Sequence, residues 1–112
     1  MANGFRRNKY NVSRKEDRTV DGIVFASKKE AKRYGELKLL ELTGAIRDLR
    51  LQPKFPCVVN GVKVCDYIAD FWYVDSETGH AVVEDAKGMK TPVYKLKAKL
   101  VEAVHGFEIT EV

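Results

Sequence analysis

The sequence predicts a single α/β domain, and three observations carry that expectation. A chain of 112 residues is long enough for one hydrophobic core and too short for two. Two stretches have helical periodicity between a start signal and a glycine stop, Ser27 to Gly44 and Thr91 to Gly106. Between and after them lie short β-branched and aromatic runs punctuated by turn formers. The order is helix, three or four strands, helix, strand, and the last crossover should lay its strand parallel to a neighbour.

Residues 1–19 read as a basic flexible arm and 20–112 as the folded domain. Thr19 to Phe25 is a short extended piece with a turn at Asp21-Gly22. Ser27-Lys28-Lys29-Glu30 is a capping box: Ser27 accepts the Glu30 N–H, and the Glu30 carboxylate returns to that of Ser27. The helix runs to about Thr43, its buried stripe being Ala31, Tyr34, Leu37 and Leu40, widened by Leu39 and Leu42. Ala45 to Gln52 follows as a strand whose broken alternation suggests a bulge. Pro53 and Pro56 place a strand end at an exposed edge.

Asn60-Gly61 is the strongest turn signal in the chain, joining Phe55–Val59 to a strand that starts at Val62 and runs on toward Val74. After a turn at Asp75 to Gly79, Ala81 to Lys87 pairs back. Thr91 caps the second helix with Pro92 at its first position, and Val93, Leu96, Leu100, Val101 and Val104 are expected in the core, with Lys95, Lys97 and Lys99 on the polar side. Phe107 to Val112 closes as a strand.

Composition narrows the function classes. An apolar share of 45% and a charged share of 32% suit a water-soluble domain, and no run approaches the ~18 apolar residues of a membrane span. With no secretory signal either, a cytoplasmic protein is expected. The net charge of +4 is concentrated in the first 20 residues, where Arg6, Arg7, Lys9, Arg14, Lys15 and Arg18 face only Glu16 and Asp17. Such an arm suits a polyanion such as DNA, or serves only as a solubilising terminus. In a regular Asn60-Gly61 hairpin Cys57 falls opposite Val64 and Cys65 opposite Pro56, so the thiols face opposite ways and no disulfide is expected. Neither the cysteines nor His80 and His105 have zinc-site spacing.

Charges in the apolar strands are the candidates for chemistry. Asp85 and Lys87 share one strand face and Glu84 the other; Asp66, Ile68, Asp70 and Trp72 share a face of the strand before. If those faces coincide, Asp70 and Asp85 meet with Lys87 beside them. Paired carboxylates repel unless a cation lies between them, and an oxygen donor set with positions left for water suits Mg²⁺ better than zinc. A site of that kind serves phosphodiester hydrolysis, with Lys87 orienting water or steadying negative charge. The same residues also fit a hairpin-end aspartate and a solvated surface pair. Glu30 is already accounted for by the capping box, and Gln52 as an end-of-strand amide.

Glu30, Asp70 and Asp85-Ala86-Lys87, in that order on helix, strand and strand, resemble the PD-(D/E)XK nuclease superfamily, with Ala69-Asp70 in place of its Pro-Asp pair. The stretches S-K-K-E-A-x-R-Y, L-x-L-Q-P, Y-I-A-D-F and V-V-E-D-x-K-G are similar to those of small phage-borne, resolvase-like members, over Val20 to Val112. The resemblance implies a restriction-endonuclease-like αβββαβ core, with a mixed central sheet flanked by helices. It implies a Mg²⁺-dependent endonuclease, Mn²⁺ substituting, that cuts branched DNA such as Holliday junctions as a homodimer in phage recombination or replication inside a bacterial host. Asp70, Asp85, the Ala86 carbonyl and Glu30 would hold metal, Lys87 would position water, and Gln52, Tyr94 and Lys97 would assist. Arg6, Arg7 and Lys9 in the arm are expected to meet phosphates. Two alternatives stand: a nicking endonuclease without junction preference, and a non-catalytic module that stacks single-stranded bases on Tyr67, Phe71, Trp72 and Tyr73.

Overall fold

The computed structural model describes residues 13–86 and 90–112. Strands β1 (Thr19–Val20) and β2 (Ile23–Val24) form a small hairpin, followed by helix α1 (Lys28–Thr43), β3 (Ile46–Leu51), β4 (Lys54–Val59), β5 (Val62–Ile68), β6 (Phe71–Asp75), β7 (Ala81–Asp85), helix α2 (Pro92–His105) and β8 (Ile109–Glu111). The central sheet has the order β3-β6-β7-β8, antiparallel except for the β7–β8 pair. The predicted α/β class and the parallel last strand are both present.

Local chemistry explains the element ends. The Ser27 hydroxyl accepts the Glu30 N–H at 3.1 Å, and Gly44 ends α1 with φ 84. The Thr91 hydroxyl accepts the Tyr94 N–H at 3.1 Å, Pro92 opens α2, and Gly106 closes it. Both two-residue hairpin turns, Asp21-Gly22 and Asn60-Gly61, have positive φ at both positions, as the twist of the flanking strands requires. The bulge expected in β3 lies between Arg47 and Arg50, where Asp48 has φ 59.

The sheet is covered on both faces. Below, α1 contributes Ala31, Tyr34 and Leu37 to a core with Phe25, Ile46, Phe71 and Tyr73. Above, Val101 of α2 joins Cys57, Tyr67, Ala69 and Val83, so α2 and the β4–β5 hairpin together form the second layer. Each fully buried side chain of this size contributes about 1.5–3 kcal/mol.

Five expectations are corrected. The long strand from Val62 toward Val74 is two strands, β5 in its own two-stranded sheet and β6 in the central one, with Ala69 and Asp70 at the break. Face parity therefore cannot be counted through Asp70. The α1 stripe stops at Leu37: Leu39, Leu40 and Leu42 are exposed, and the last helical turn meets β3 through Glu41, whose carboxylate accepts the Leu49 N–H at 3.2 Å. Helix α2 is rotated from its expected face, burying Val101 and partly burying Tyr94, Ala98 and Leu100, while Val93, Leu96 and Val104 face solvent. At the end of the arm, Lys15–Arg18 form a 3-10 turn instead of flexible chain, and Arg18 donates to the Phe25 carbonyl at 2.7 Å. Finally, the β4–β5 register departs from the regular hairpin, since Val64 is bulged out and Cys57 lies directly opposite Cys65.

Candidate active site

The site is built where the start of β6 lies beside the end of β7. Phe71 pairs with Glu84, which leaves Asp70 beside the end of β7. Three bonds to two segments, the end of β3 and the end of β7, hold Asp70. Its N–H donates to the Glu84 carbonyl at 3.1 Å, its own carbonyl accepts the Gln52 N–H at 2.9 Å, and its Oδ2 accepts the Ala86 N–H at 2.6 Å. The last bond draws the Asp70 carboxylate onto the backbone that immediately follows Asp85. Gln52 enters through its backbone, with φ 51.

Asp85 and Glu84 point to opposite sides of β7 and have different chemistry, although both are fully buried. Glu84 faces α1, where Arg33 donates Nε–H to Oε1 at 2.8 Å and Nη2–H to Oε2 at 2.7 Å, and the Tyr73 hydroxyl donates to Oε2 at 2.5 Å. This bidentate, charge-assisted pair satisfies both oxygens of a buried carboxylate. The Glu84 bond holds the Arg33 guanidinium further above its usual range, and burial, then Glu84, push the Tyr73 phenol up. Glu84 is thus a structural anion.

Asp85 faces α2. The Tyr67 hydroxyl donates to its Oδ2, and the Tyr94 hydroxyl reaches the same oxygen at 3.5 Å. Tyr94 also reaches Glu111 Oε2 at 3.3 Å, and Lys90 Nζ pairs with Glu111 Oε1 at 2.8 Å. Burial is the main cause that raises the Tyr94 phenol, followed by the negative charge of Asp85 and Glu111. The Tyr94 phenol therefore stays a protonated donor at neutral pH.

Glu30 is 4% exposed, one turn before Arg33 on the buried face of α1. Lys97 is half-buried, not on the polar side as expected, and its Nζ lies 3.5 Å from the Asp66 carbonyl. Lys87, Arg6, Arg7 and Lys9 lie outside the described residues.

Among the described residues no three His, Cys, Asp or Glu side chains are grouped closely enough to hold a metal ion, so Glu30, Asp70 and Asp85 do not form a three-carboxylate cage. The remaining donors, the Asp70 and Asp85 carboxylates and the Ala86 carbonyl, are all hard oxygens on adjoining strand ends. That set fits Mg²⁺, which is ordinarily held by one or two carboxylates with water and phosphate completing its octahedron, and it lacks the ligand number of a zinc or calcium cage.

The aromatic residues do not make the stacking platform of the binding-module alternative. Tyr67, Phe71 and Tyr73 are buried, and Trp72 is half-buried with the Arg50 guanidinium 4.9 Å above its ring. Tyr67, Arg33 and Tyr73 are the site neighbours that sequence reading missed. Arg33 had a signal, since it lies three residues after Glu30 beside the apolar stripe. Tyr67 had none, because its place opposite Phe55 depends on the Val64 bulge.

No helix among the described residues is long and apolar enough to cross a membrane. Comparison with curated proteins returns no match, and neither does comparison with solved structures. Residues 7–109 do match a family described as a protein of unknown function (DUF1064), and with that match covering most of its length the chain belongs to this family.

Proposed function

We propose that this protein is a Mg²⁺-dependent DNA endonuclease that prefers branched DNA. The observation that carries the reading is the 2.6 Å bond from the Ala86 N–H to Asp70 Oδ2, which sets the Asp70 carboxylate against the backbone next to Asp85. Supporting it is the division of labour on β7: Glu84 is consumed by Arg33 and Tyr73, whereas Asp85 is turned away from them. Asp70, Asp85 and the Ala86 carbonyl would hold Mg²⁺, with Mn²⁺ able to replace it. When bound, the ion supplies polarisation of a phosphate oxygen and a more acidic water.

The chain's own residues have separate tasks. Tyr67 and Tyr94 fix the orientation of Asp85 through their hydroxyls. Gln52 fixes the Asp70 backbone, and Asp70 fixes that of Ala86. Lys87 orients the attacking water or the developing negative charge, Glu30 serves as an acidic group from α1, and Lys97 with the basic arm meets phosphates. A homodimer would bring one such site to each of two opposed strands, in the cytoplasm of a bacterial host.

Cleavage of a four-way junction, a nicked duplex and a linear duplex in Mg²⁺ and in Mn²⁺ tests this. The junction should be cut fastest, and Asp85→Asn should abolish cutting. Equal rates on all three substrates would leave a nicking endonuclease, and no cutting on any of them would remove the enzyme.

A further inference from the structure

We infer that Cys57 and Cys65 form a thiol-oxidation site, converted to an intrachain disulfide by a small disulfide of the glutathione type. The inference is independent of the proposed nuclease activity. It follows from one residue, Val64, which is bulged out of β5, so that the pairs change from Val58↔Lys63 to Cys57↔Cys65 without an intervening partner. In the regular hairpin the two thiols would face opposite ways; the bulge brings them to the same face.

Directly opposed residues of an antiparallel pair have Cα atoms about 4.5–5.5 Å apart, inside the ~4.4–6.8 Å span of disulfides. Cys57 and Cys65 are direct cross-strand partners, and both are reduced. Their environments differ in a useful way. Cys57 is 0% exposed, packed with Tyr67, Ala69, Val83 and Val101, whereas Cys65 is half-buried and open to a reagent. Burial, and then the neighbouring Cys65, push the Cys57 thiol up, which makes it the poorer first nucleophile.

The order of steps follows. Cys65, as thiolate, attacks one sulfur of oxidised glutathione; that S–S bond breaks, a Cys65–glutathione mixed disulfide forms, and one glutathione thiolate leaves. Cys57 then loses its proton to solvent and attacks the Cys65 sulfur, displacing the second glutathione. Two protein thiols and one glutathione disulfide become one protein disulfide and two glutathione thiols, with two electrons passed to glutathione. The product crosslinks the hairpin two residues from Tyr67, the phenol that donates to Asp85.

The experiment exposes the full chain to mixtures of oxidised and reduced glutathione, then reads intact mass, thiols titrated after denaturation, and tryptic peptides. The expected product is a monomer lighter by two hydrogen atoms, with both thiols lost and peptides 55–63 and 64–87 joined. Cys57→Ser, lacking the second thiol, should instead accumulate one glutathione on Cys65. The inference is overturned if both thiols survive in excess oxidised glutathione, if the link joins two chains, or if the parent protein keeps its glutathione adduct as the Cys57→Ser variant does.

Discussion

Arg33 of α1 and Glu84 of β7, 51 residues apart in sequence, close a two-point grip at 2.8 and 2.7 Å between helix and sheet. Glu84 is fully buried, so its charge is tolerated only while the guanidinium is present. Arg33→Ala is expected to cost about 3–5 kcal/mol, measured as a shift of the urea midpoint. Arg33→Lys should recover only part of this, because an ammonium cannot reproduce the planar fork. Replacing both residues with methionine should be less damaging than the Arg33→Ala change alone, since no stranded charge remains.

Separate variants of the adjacent acids distinguish structure from chemistry. Asp85→Asn should leave the urea midpoint close to that of the parent and reduce Mg²⁺-dependent cleavage by no less than the ~10–100-fold that outer partners of metal sites are worth. Glu84→Gln should do the opposite, lowering the midpoint while retaining cleavage at low temperature. A Glu84→Gln protein that is stable and inactive would exchange the two roles.

Alkaline pH should loosen the fold through Tyr73. Burial and then Glu84 raise this phenol in the folded chain above the ordinary value of about 10. A raised folded value means that the stabilisation is complete below pH ~10 and is lost as pH rises through the folded value, since the unfolded chain ionises first. Denaturant midpoints at pH 8 and pH 11 should therefore diverge more for the parent than for Tyr73→Phe.

The limit of the α1 stripe can be checked with leucines alone. Leu37 is fully buried and Leu42 is 82% exposed, although both belong to the same apolar pattern. Leu37→Ala should cost about 2–5 kcal/mol and Leu42→Ala within ~0.5 kcal/mol.

What the sequence revealed depended on how local the cause was. Helix ends were legible because Ser27, Gly44, Thr91 and Gly106 act on backbone groups within four residues of themselves. The Asn60-Gly61 turn was legible for the same reason, whereas the register beyond it was not. One bulged residue, Val64, reversed the expected placement of Cys57 and Cys65, and nothing in the identity of Val64 announces a bulge. Helix orientation failed in the same way: α2 is apolar on more than one side, so its pattern could not decide between Leu96 and Ala98 as the residue turned inward. Asp70 and Asp85 are nominated by strand parity, a count that the break between β5 and β6 at Ala69 and Asp70 removes. The partners of Asp85, Tyr67 and Tyr94, come from elements whose docking is set by tertiary packing.

Asp70 is bonded through its amide, carbonyl and carboxylate to Glu84, Gln52 and Ala86, all at least 14 residues away. Its geometry is accordingly a property of topology, and no short excerpt of this chain contains it. A peptide carrying the acidic motif, or a graft of the β6–β7 hairpin onto another scaffold, would keep the residue types and lose the arrangement. During folding, the same bonds can form only after the loops between these strands have closed, which places the site among the late, non-local events.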